Sequence, residues 1–326
     1  MHLFLAVSYN LPKFCGNASW NPNATTFVNQ TSSMINPLSI FITKRDTVYI
    51  GSDDQKKIEV WIDGNASSIR NISTGYVFFV SDNEDIYVHN SAQQRVERWQ
   101  RNGTSADSVM FSSSTCGDLF VDINNTLYCS RSQVNEVISK SLNDPTNAFK
   151  TVAGTGCAYW DSYGLDGPSG IFVDLSFDLY VADSKNNRIQ RFRQGERNGT
   201  KVAGSPATAS LSSPTDVVLD GDGNLYIVDS NMNRIVRSGV SGFWCVAGCT
   251  NTQGSMPFQL SAPKGLSFDS YGNIFVADSS GNRIQKFLLT NGSCGKFHFV
   301  FYFDLNSCAT FDYNFSILWV LAYDSL

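Results

Sequence analysis

Three aspartates in this chain stand five residues ahead of three arginines: Asp183 and Arg188, Asp229 and Arg234, Asp278 and Arg283. Opposite charges at that separation can pair across a tight turn, and an aspartate there can also accept backbone N–H groups. Each pair sits in a recurring phrase, which points to structural loop pairs rather than to one reaction centre. A second set, Asp122, Asp174, Asp220 and Asp269, closes four short apolar runs. Facing a channel, these carboxylates could hold a cation; their equivalent placement reads instead as turn capping. Histidine chemistry is nearly excluded. The chain has 3 His, at positions 2, 89 and 298, too few for a multi-histidine zinc site or a nucleophile–histidine–acid arrangement. No catalytic residue, metal ligand or cofactor is expected.

The elements that position these residues come from a repeat. Residues 168–192 read PSGIFVDLSFDLYVADSKNNRIQRF, 214–238 PTDVVLDGDGNLYIVDSNMNRIVRS, and 263–287 PKGLSFDSYGNIFVADSSGNRIQKF. They align without a gap, so one structural unit recurs. Weaker copies start near Pro37, Gly75 and Cys116, and an aromatic anchor recurs at Tyr49, Tyr87, Tyr128, Tyr180, Tyr226 and Phe275. The period is roughly 45 residues, and each unit reads as β-branched runs separated by Asp, Gly, Asn and Ser turns. The TVAG, KVAG and CVAG segments at 151–154, 201–204 and 245–248 mark a fourth strand. The expected fold is all-β: a six-bladed β-propeller of four-stranded antiparallel blades. Residues 24–28 resemble a fourth strand, so an N-terminal strand closes the last blade after 283–287 and leaves no open sheet edge. In the weaker copies, blade one has Ser52-Asp53-Asp54 and no matching arginine. Blade three places Arg131 in the position of Ser184, with Asn135-Glu136 near the arginine position. The expected domains are an N-terminal segment 1–23 (the end of a leader plus a linker), the propeller 24–294, and an aromatic-rich tail 295–326 that is a degenerate extra repeat or a mis-assembled end.

The chain is 42% hydrophobic and 16% charged, with a net charge of −5. This composition excludes a disordered chain and disfavours a basic nucleic-acid surface. Glycosylation sequons occur at Asn17, Asn23, Asn29, Asn65, Asn71, Asn102, Asn124, Asn198, Asn291 and Asn314. Asn65, Asn102, Asn198 and Asn291 are expected in loops from third to fourth strands, and Asn124 between a first and a second strand. Those two loop types share one face of a propeller, so the opposite face is nearly bare, with Asn71 the exception. The 8 Cys contain no C-x-x-C pair, and with the sequons they suit an oxidising compartment. Cys15 and Cys294 flank strands that should pair, so a Cys15–Cys294 bond would lock the seam. Cys245–Cys249 requires a turn at Gly248. Cys116, Cys129, Cys157 and Cys308 stay unassigned. The opening MHLFLAVSY lacks the basic flank of a signal peptide, so a fragment or a missing leader is expected. No run in the tail is long enough to span a bilayer.

YVADSKNNRIQRF at 180–192, with its partners at 226–238 and 275–287, resembles the NHL repeat. The N-terminal FCGNASWNPNATTF and LYCS at 127–130 resemble secreted NHL proteins of invertebrates. The resemblance implies a six-bladed propeller that recognises partners, and no single activity. Some relatives are enzymes: a peptide-amidating lyase with channel histidines, which this chain lacks, and calcium lactonases of similar architecture. Others bind RNA through a basic face, for which this acidic chain is unsuited.

The expectation is therefore an extracellular, secreted, monomeric, non-catalytic recognition propeller without a transmembrane span. It would bind a protein, peptide or glycan, and no nucleic acid, through the sequon-poor face. A calcium-dependent lactonase- or lyase-like enzyme is the alternative. Candidate binding residues are Gln55, Lys56, Lys185, Asn186, Asn231, Met232 and Ser280 in loops between second and third strands, and Ser169, Thr215 and Lys264 at the central rim.

Overall fold

The computed structural model describes residues 9–29, 36–53, 56–62, 65–66, 72, 75–101, 103–146, 148–204, 210–239 and 242–293. Six four-stranded antiparallel sheets are arranged as the blades of a ring. Blade one is Pro37–Ile42, Val48–Ser52, Lys57–Ile62 and Asn65–Ala66. Blade two is Phe78–Val80, Ile86–Asn90, Arg95–Trp99 and Ala106–Phe111. Blade three is Asp118–Val121, Thr126–Arg131, Glu136–Ser141 and Lys150–Gly154. Blade four is Pro168–Val173, Leu179–Asp183, Arg188–Phe192 and Thr200–Ala203. Blade five is Pro214–Leu219, Leu225–Asp229, Arg234–Gly239 and Gly242–Ala247. Blade six is Gly265–Phe268, Ile274–Asp278 and Arg283–Phe287, completed by the N-terminal Thr25–Val28. Thr25 lies opposite Lys286 and Val28 opposite Ile284, so the last sheet has its fourth strand from the start of the chain.

Second strands are buried from end to end in blades one, two, four, five and six. This explains their continuous apolar reading: both faces pack on a neighbouring blade. Asp122, Asp174, Asp220 and Asp269 cap the turns between first and second strands. Asp220 Oδ1, for example, accepts from Asp222 N at 3.0 Å and Asn224 N at 2.9 Å, and Asp269 Oδ1 from Tyr271 N at 3.0 Å and Asn273 N at 2.9 Å. Gly154, Gly204 and Gly248 end their fourth strands at φ 80, 97 and 69. A Cβ there would lie 2.2–2.3 Å from the carbonyl of Asn135, Asn187 or Asn233, so the VAG glycine is sterically required.

Several local readings change. Residues 9–20 are not a free linker. Phe14–Trp20 pairs with Leu289–Ser293 in a two-stranded ribbon, and Phe14 packs on Trp20, Tyr226 and Phe268 with ring centroids 5.0, 5.8 and 5.5 Å away. Trp20 Nε1 donates to Gly272 O at 2.9 Å. Asn291 consequently lies in a strand, not in a loop to a fourth strand: because blade six takes its fourth strand from the N-terminus, the chain after Phe287 is free to pair elsewhere. In blade three Arg131 lies opposite Glu136, the register in which Asp183 lies opposite Arg188. It therefore occupies the aspartate position, one residue before that of Ser184, and the pair is charge-reversed. Blade one does have a cation in the arginine register, Lys57 opposite Ser52.

Cys245 and Cys249 are bonded, with Cα atoms 5.6 Å apart across the turn at Gly248. Cys116 and Cys129 are bonded as well, joining the start of blade three to its second strand. Cys15 is disulfide-bonded; its expected partner Cys294 lies outside the described residues, as do Cys308, Gln55, Asn71, Asn102, Asn314 and the tail 295–326. Cys157 is free and exposed. No helix of the described residues is long and apolar enough to cross a membrane.

Candidate functional site

In blades four to six an ion pair clasps the loop between second and third strands. Asp183 Oδ2 accepts from Arg188 Nε at 2.7 Å, Asp229 Oδ2 from Arg234 Nε at 2.8 Å, and Asp278 Oδ2 from Arg283 Nε at 2.7 Å. The other oxygen of each carboxylate takes a backbone N–H of the loop entering the same blade: Asp166 N at 2.7 Å, Ser212 N at 2.6 Å and Ser261 N at 2.5 Å. Burial raises the pKa of all three aspartates, opposed by these hydrogen bonds. The arginines reach on to loop carbonyls, Arg188 to Trp160 O at 2.5 Å and Arg283 to Gln259 O at 2.8 Å.

The asparagine just before the third strand of blades three to six has a role that the sequence reading missed. Asn135, Asn187, Asn233 and Asn282 stand at φ 51, 53, 52 and 49. Their side-chain oxygens accept from Gly167 N, Ser213 N, Ala262 N and Asn36 N at 2.8–2.9 Å. Each ties its blade to the next, and the last tie joins blade six to blade one.

At the centre of the ring lies a cavity of about 340 Å³, walled by first strands of all six blades. One end is ringed by Leu38, Tyr76, Gly117, Ser169, Thr215 and Lys264, which stay at least partly exposed. The middle holds Ser39, Val77, Asp118, Gly170, Asp216 and Gly265, and the far end Phe41, Phe79, Phe120, Phe172, Val218 and Ser267. Neighbouring phenylalanines of blades one to four stand 5.1, 5.0 and 5.2 Å apart. Tyr9 closes that end, its ring 5.4 Å from Phe120 and 5.2 Å from Phe172. Burial, and then the nearby Asp174 and Asp122, push its hydroxyl pKa up. Asn10 Nδ2 donates to Thr43 O at 3.1 Å and Phe268 O at 2.9 Å, spanning blades one and six. The cavity is thus stoppered on the face that carries the turns between first and second strands.

Two carboxylates face this cavity. Asp118 Oδ2 accepts from Ile171 N and Asp216 Oδ2 from Leu266 N, both at 2.9 Å and both on the next blade; their Oδ1 atoms accept from Leu119 N and Val217 N at 2.8 Å. Desolvation pushes the pKa of Asp118 well up, reinforced by Asp216; desolvation pushes Asp216 up to about 6. Lys264, at the rim, is half-buried, which lowers its pKa, and Nζ lies 3.4 Å from Ser230 Oγ. Aligning the third residue of each repeat unit would have exposed both aspartates, since Gly170 and Gly265 occupy the same position.

Of the candidate binding residues, Ser169, Thr215 and Lys264 meet at the cavity rim. Ser169 Oγ is engaged between blades, 2.7 Å from Ser184 Oγ and 2.9 Å from Thr215 O. Lys56, Lys185, Asn231 and Ser280 are exposed, and Met232 is half-buried, on the loops outside the rim. Asn186 Nδ2 is committed to Asp183 Oδ2 at 2.9 Å and Tyr159 O at 2.8 Å. His89 is 3% exposed with no partner for Nε2, and burial lowers its pKa to about 4. It lies outside the cavity wall.

The sequon residues Asn17, Asn23, Asn124, Asn198 and Asn291 are exposed on the stoppered side, and Asn65 begins a fourth strand there. Asn29, also exposed, is an exception: it follows Val28 into the connection to blade one, on the opposite face. That placement follows from the N-terminal strand being a fourth strand. Calcium takes six to eight oxygen ligands, whereas among the described residues no three His, Cys, Asp or Glu side chains gather.

The family model of the NHL repeat matches residues 211–237. No curated protein matches the chain. Among solved structures, a protein of unknown function from Bacteroides thetaiotaomicron is similar at 16% identity and a TM-score of 0.66, over 87% of this chain and 75% of that one. A gluconolactonase from Xanthomonas campestris is similar at 12% identity and a TM-score of 0.61, over 87% and 98%. A streptogramin B lyase is similar at 14% identity and a TM-score of 0.57, over 82% and 97%. At such identities the likeness is one of fold. The chain therefore carries an NHL repeat, at residues 211–237, within a six-bladed β-propeller.

Proposed function

We propose that this propeller is an extracellular, non-catalytic recognition module that takes a protein, peptide or glycan ligand on the face opposite its N-terminal stopper. The observation that carries the reading is the one-ended cavity: Tyr9 and Asn10 fill the far end, so a ligand enters past Ser169, Thr215 and Lys264. Most exposed sequons lie on the stoppered side, where glycans would leave the entry face accessible. The disulfides Cys116–Cys129 and Cys245–Cys249 suit an oxidising compartment. The aspartates and arginines that recur are consumed in holding loops, which leaves no repeated side chain available for chemistry.

The test is secretion from a eukaryotic cell with glycan-site mapping, followed by peptide and glycan arrays. Lys185→Glu and Lys264→Glu should abolish array binding, while a substitution on the stoppered side, Lys13→Glu, should not. Retention in the cytosol without glycans would overturn the extracellular reading. A second reading, a calcium-dependent enzyme like the lactonases, is favoured by the two cavity carboxylates alone. Millimolar calcium raising the melting temperature by several degrees would support it.

A further inference from the structure

We propose that the axial cavity binds an organic ammonium group, held between the carboxylates of Asp118 and Asp216 and the aromatic far end. The inference rests on the recognition reading and names the chemistry of its pocket. Hydroxyls tie neighbouring blades near the axis at several joints. Ser39 Oγ donates to Tyr76 O at 2.5 Å, Ser169 Oγ to Thr215 O at 2.9 Å, and Ser267 Oγ accepts from Ile42 N at 3.1 Å. A hydroxyl therefore suffices as a tie. Blades three and five place a carboxylate there instead, at the cost of desolvating a charge.

Among the described residues no cation compensates either one: Asp118 feels burial, Asp216 and backbone N–H groups, and Asp216 feels burial and backbone N–H groups. Lys264, the nearest cation on the wall, turns to Ser230. Each carboxylate oxygen accepts one hydrogen bond and keeps a lone pair for a ligand.

The wall composition decides which cation. A calcium ion takes six to eight oxygen ligands, whereas the acidic side chains on the described wall are two, Asp118 and Asp216. An organic ammonium needs few: it donates to the two carboxylates and gains from aromatic rings, which Phe79, Phe120 and Phe172 supply. A cavity of about 340 Å³ admits a lysine side chain or a small amine.

The experiment is calorimetric titration of the whole secreted chain with n-butylammonium, N-acetyl-lysinamide, n-butanol, butyrate and calcium. We expect n-butylammonium to bind at least about tenfold more tightly than n-butanol, with no binding of butyrate. Tighter binding of N-acetyl-lysinamide would identify a lysine side chain as the source, and the reverse a free amine. Asp216→Ser keeps a hydroxyl tie and should lose the preference for ammonium over butanol; Asp118→Ser is the second variant should the first fail to fold. Equal binding of n-butanol, tighter binding of butyrate, or binding of calcium but not of ammonium would overturn the proposal on the unsubstituted protein. An array ligand whose affinity Asp216→Ser leaves unchanged would overturn it too while sparing the recognition reading. Ammonium binding with no array ligand would sustain it and sink that reading.

Discussion

Blades four to six and blades one and two solve one problem with different residues. In the later blades, an aspartate ending the second strand clasps the arginine that starts the third and also holds the incoming loop. In blade one these positions are Ser52 and Lys57, in blade two Asn90 and Arg95. The carboxylate has moved two residues along the third strand: Lys57 pairs with Glu59 at 2.6 Å and Arg95 with Glu97 at 2.8 Å. That displacement keeps the charge pair, now along the third strand itself. Blade three keeps the register with reversed charge, Arg131 on Glu136. The difference teaches that the repeated aspartate is a loop anchor first and an ion-pair partner second.

Breaking the clasps should give the largest effect. Asp278→Ala leaves Arg283 buried without its carboxylate and Ser261 N without an acceptor, so we expect a loss of about 3–5 kcal/mol in urea unfolding. Glu59→Ala, in blade one, removes a partly exposed pair and should cost less, about 1 kcal/mol. Equal losses would refute the anchor argument. In blade three, Arg131→Asp and Glu136→Arg should each destabilise alone, and their combination should recover most of the loss in a double-mutant cycle.

Acid separates the two regions next. His89 of blade two stands in register with Ala182 and Ala277 of the later blades. Its folded pKa, about 4 against 6.5, means that the unfolded chain binds more protons between those values. Stability should therefore fall as pH drops through that window, by about 3 kcal/mol in all. Asp216 opposes this: with its pKa raised from 3.8 to about 6, the folded chain holds the extra proton, and stability falls as pH rises through that range. Melting temperatures from pH 7 to 4 should drop more steeply in Asp216→Ser and flatten in His89→Ala. An unchanged slope in His89→Ala would show that another group governs the acid limb.

The repeat made the scaffold legible because each copy restates the others. Strand runs, the aromatic anchor and the VAG segment recur, so blade number, strand count and the closing strand Thr25–Val28 could be read off. The single-copy parts could not. The ribbon of Phe14–Trp20 with Leu289–Ser293 and the stopper at Tyr9 and Asn10 have no counterpart, and their contacts lie hundreds of residues away in sequence. The candidate site fell between these cases. Its rim residues Ser169, Thr215 and Lys264 followed from the proline that opens blades four to six, whereas Asp118 and Asp216 stand at a position where blades four and six carry Gly170 and Gly265. Attention to what recurs passes over them for that reason, and a departure from the repeat at an axial position is where a scaffold acquires its own chemistry.

The smallest effects concern the left-handed residue before the third strand. Asn187, Asn233 and Asn282 combine a tolerated positive φ with a bond to the next blade, whereas blades one and two place Lys56 at φ 46 and Gln94 at φ 49 there. Asn233→Gly keeps the backbone comfortable and loses the tie to Ala262 N, so about 1 kcal/mol should be lost; Asn233→Ala adds backbone strain and should lose about 1–2 kcal/mol more. The same change should reverse sign in the early blades. Lys56→Gly and Gln94→Gly relieve strain where no such tie is made among the described residues, and each should raise stability by up to about 1 kcal/mol in thermal unfolding. A loss in both would mean that these side chains hold blades one and two together by contacts equivalent to the asparagine tie, and the two halves of the ring would then differ in residue type but not in principle.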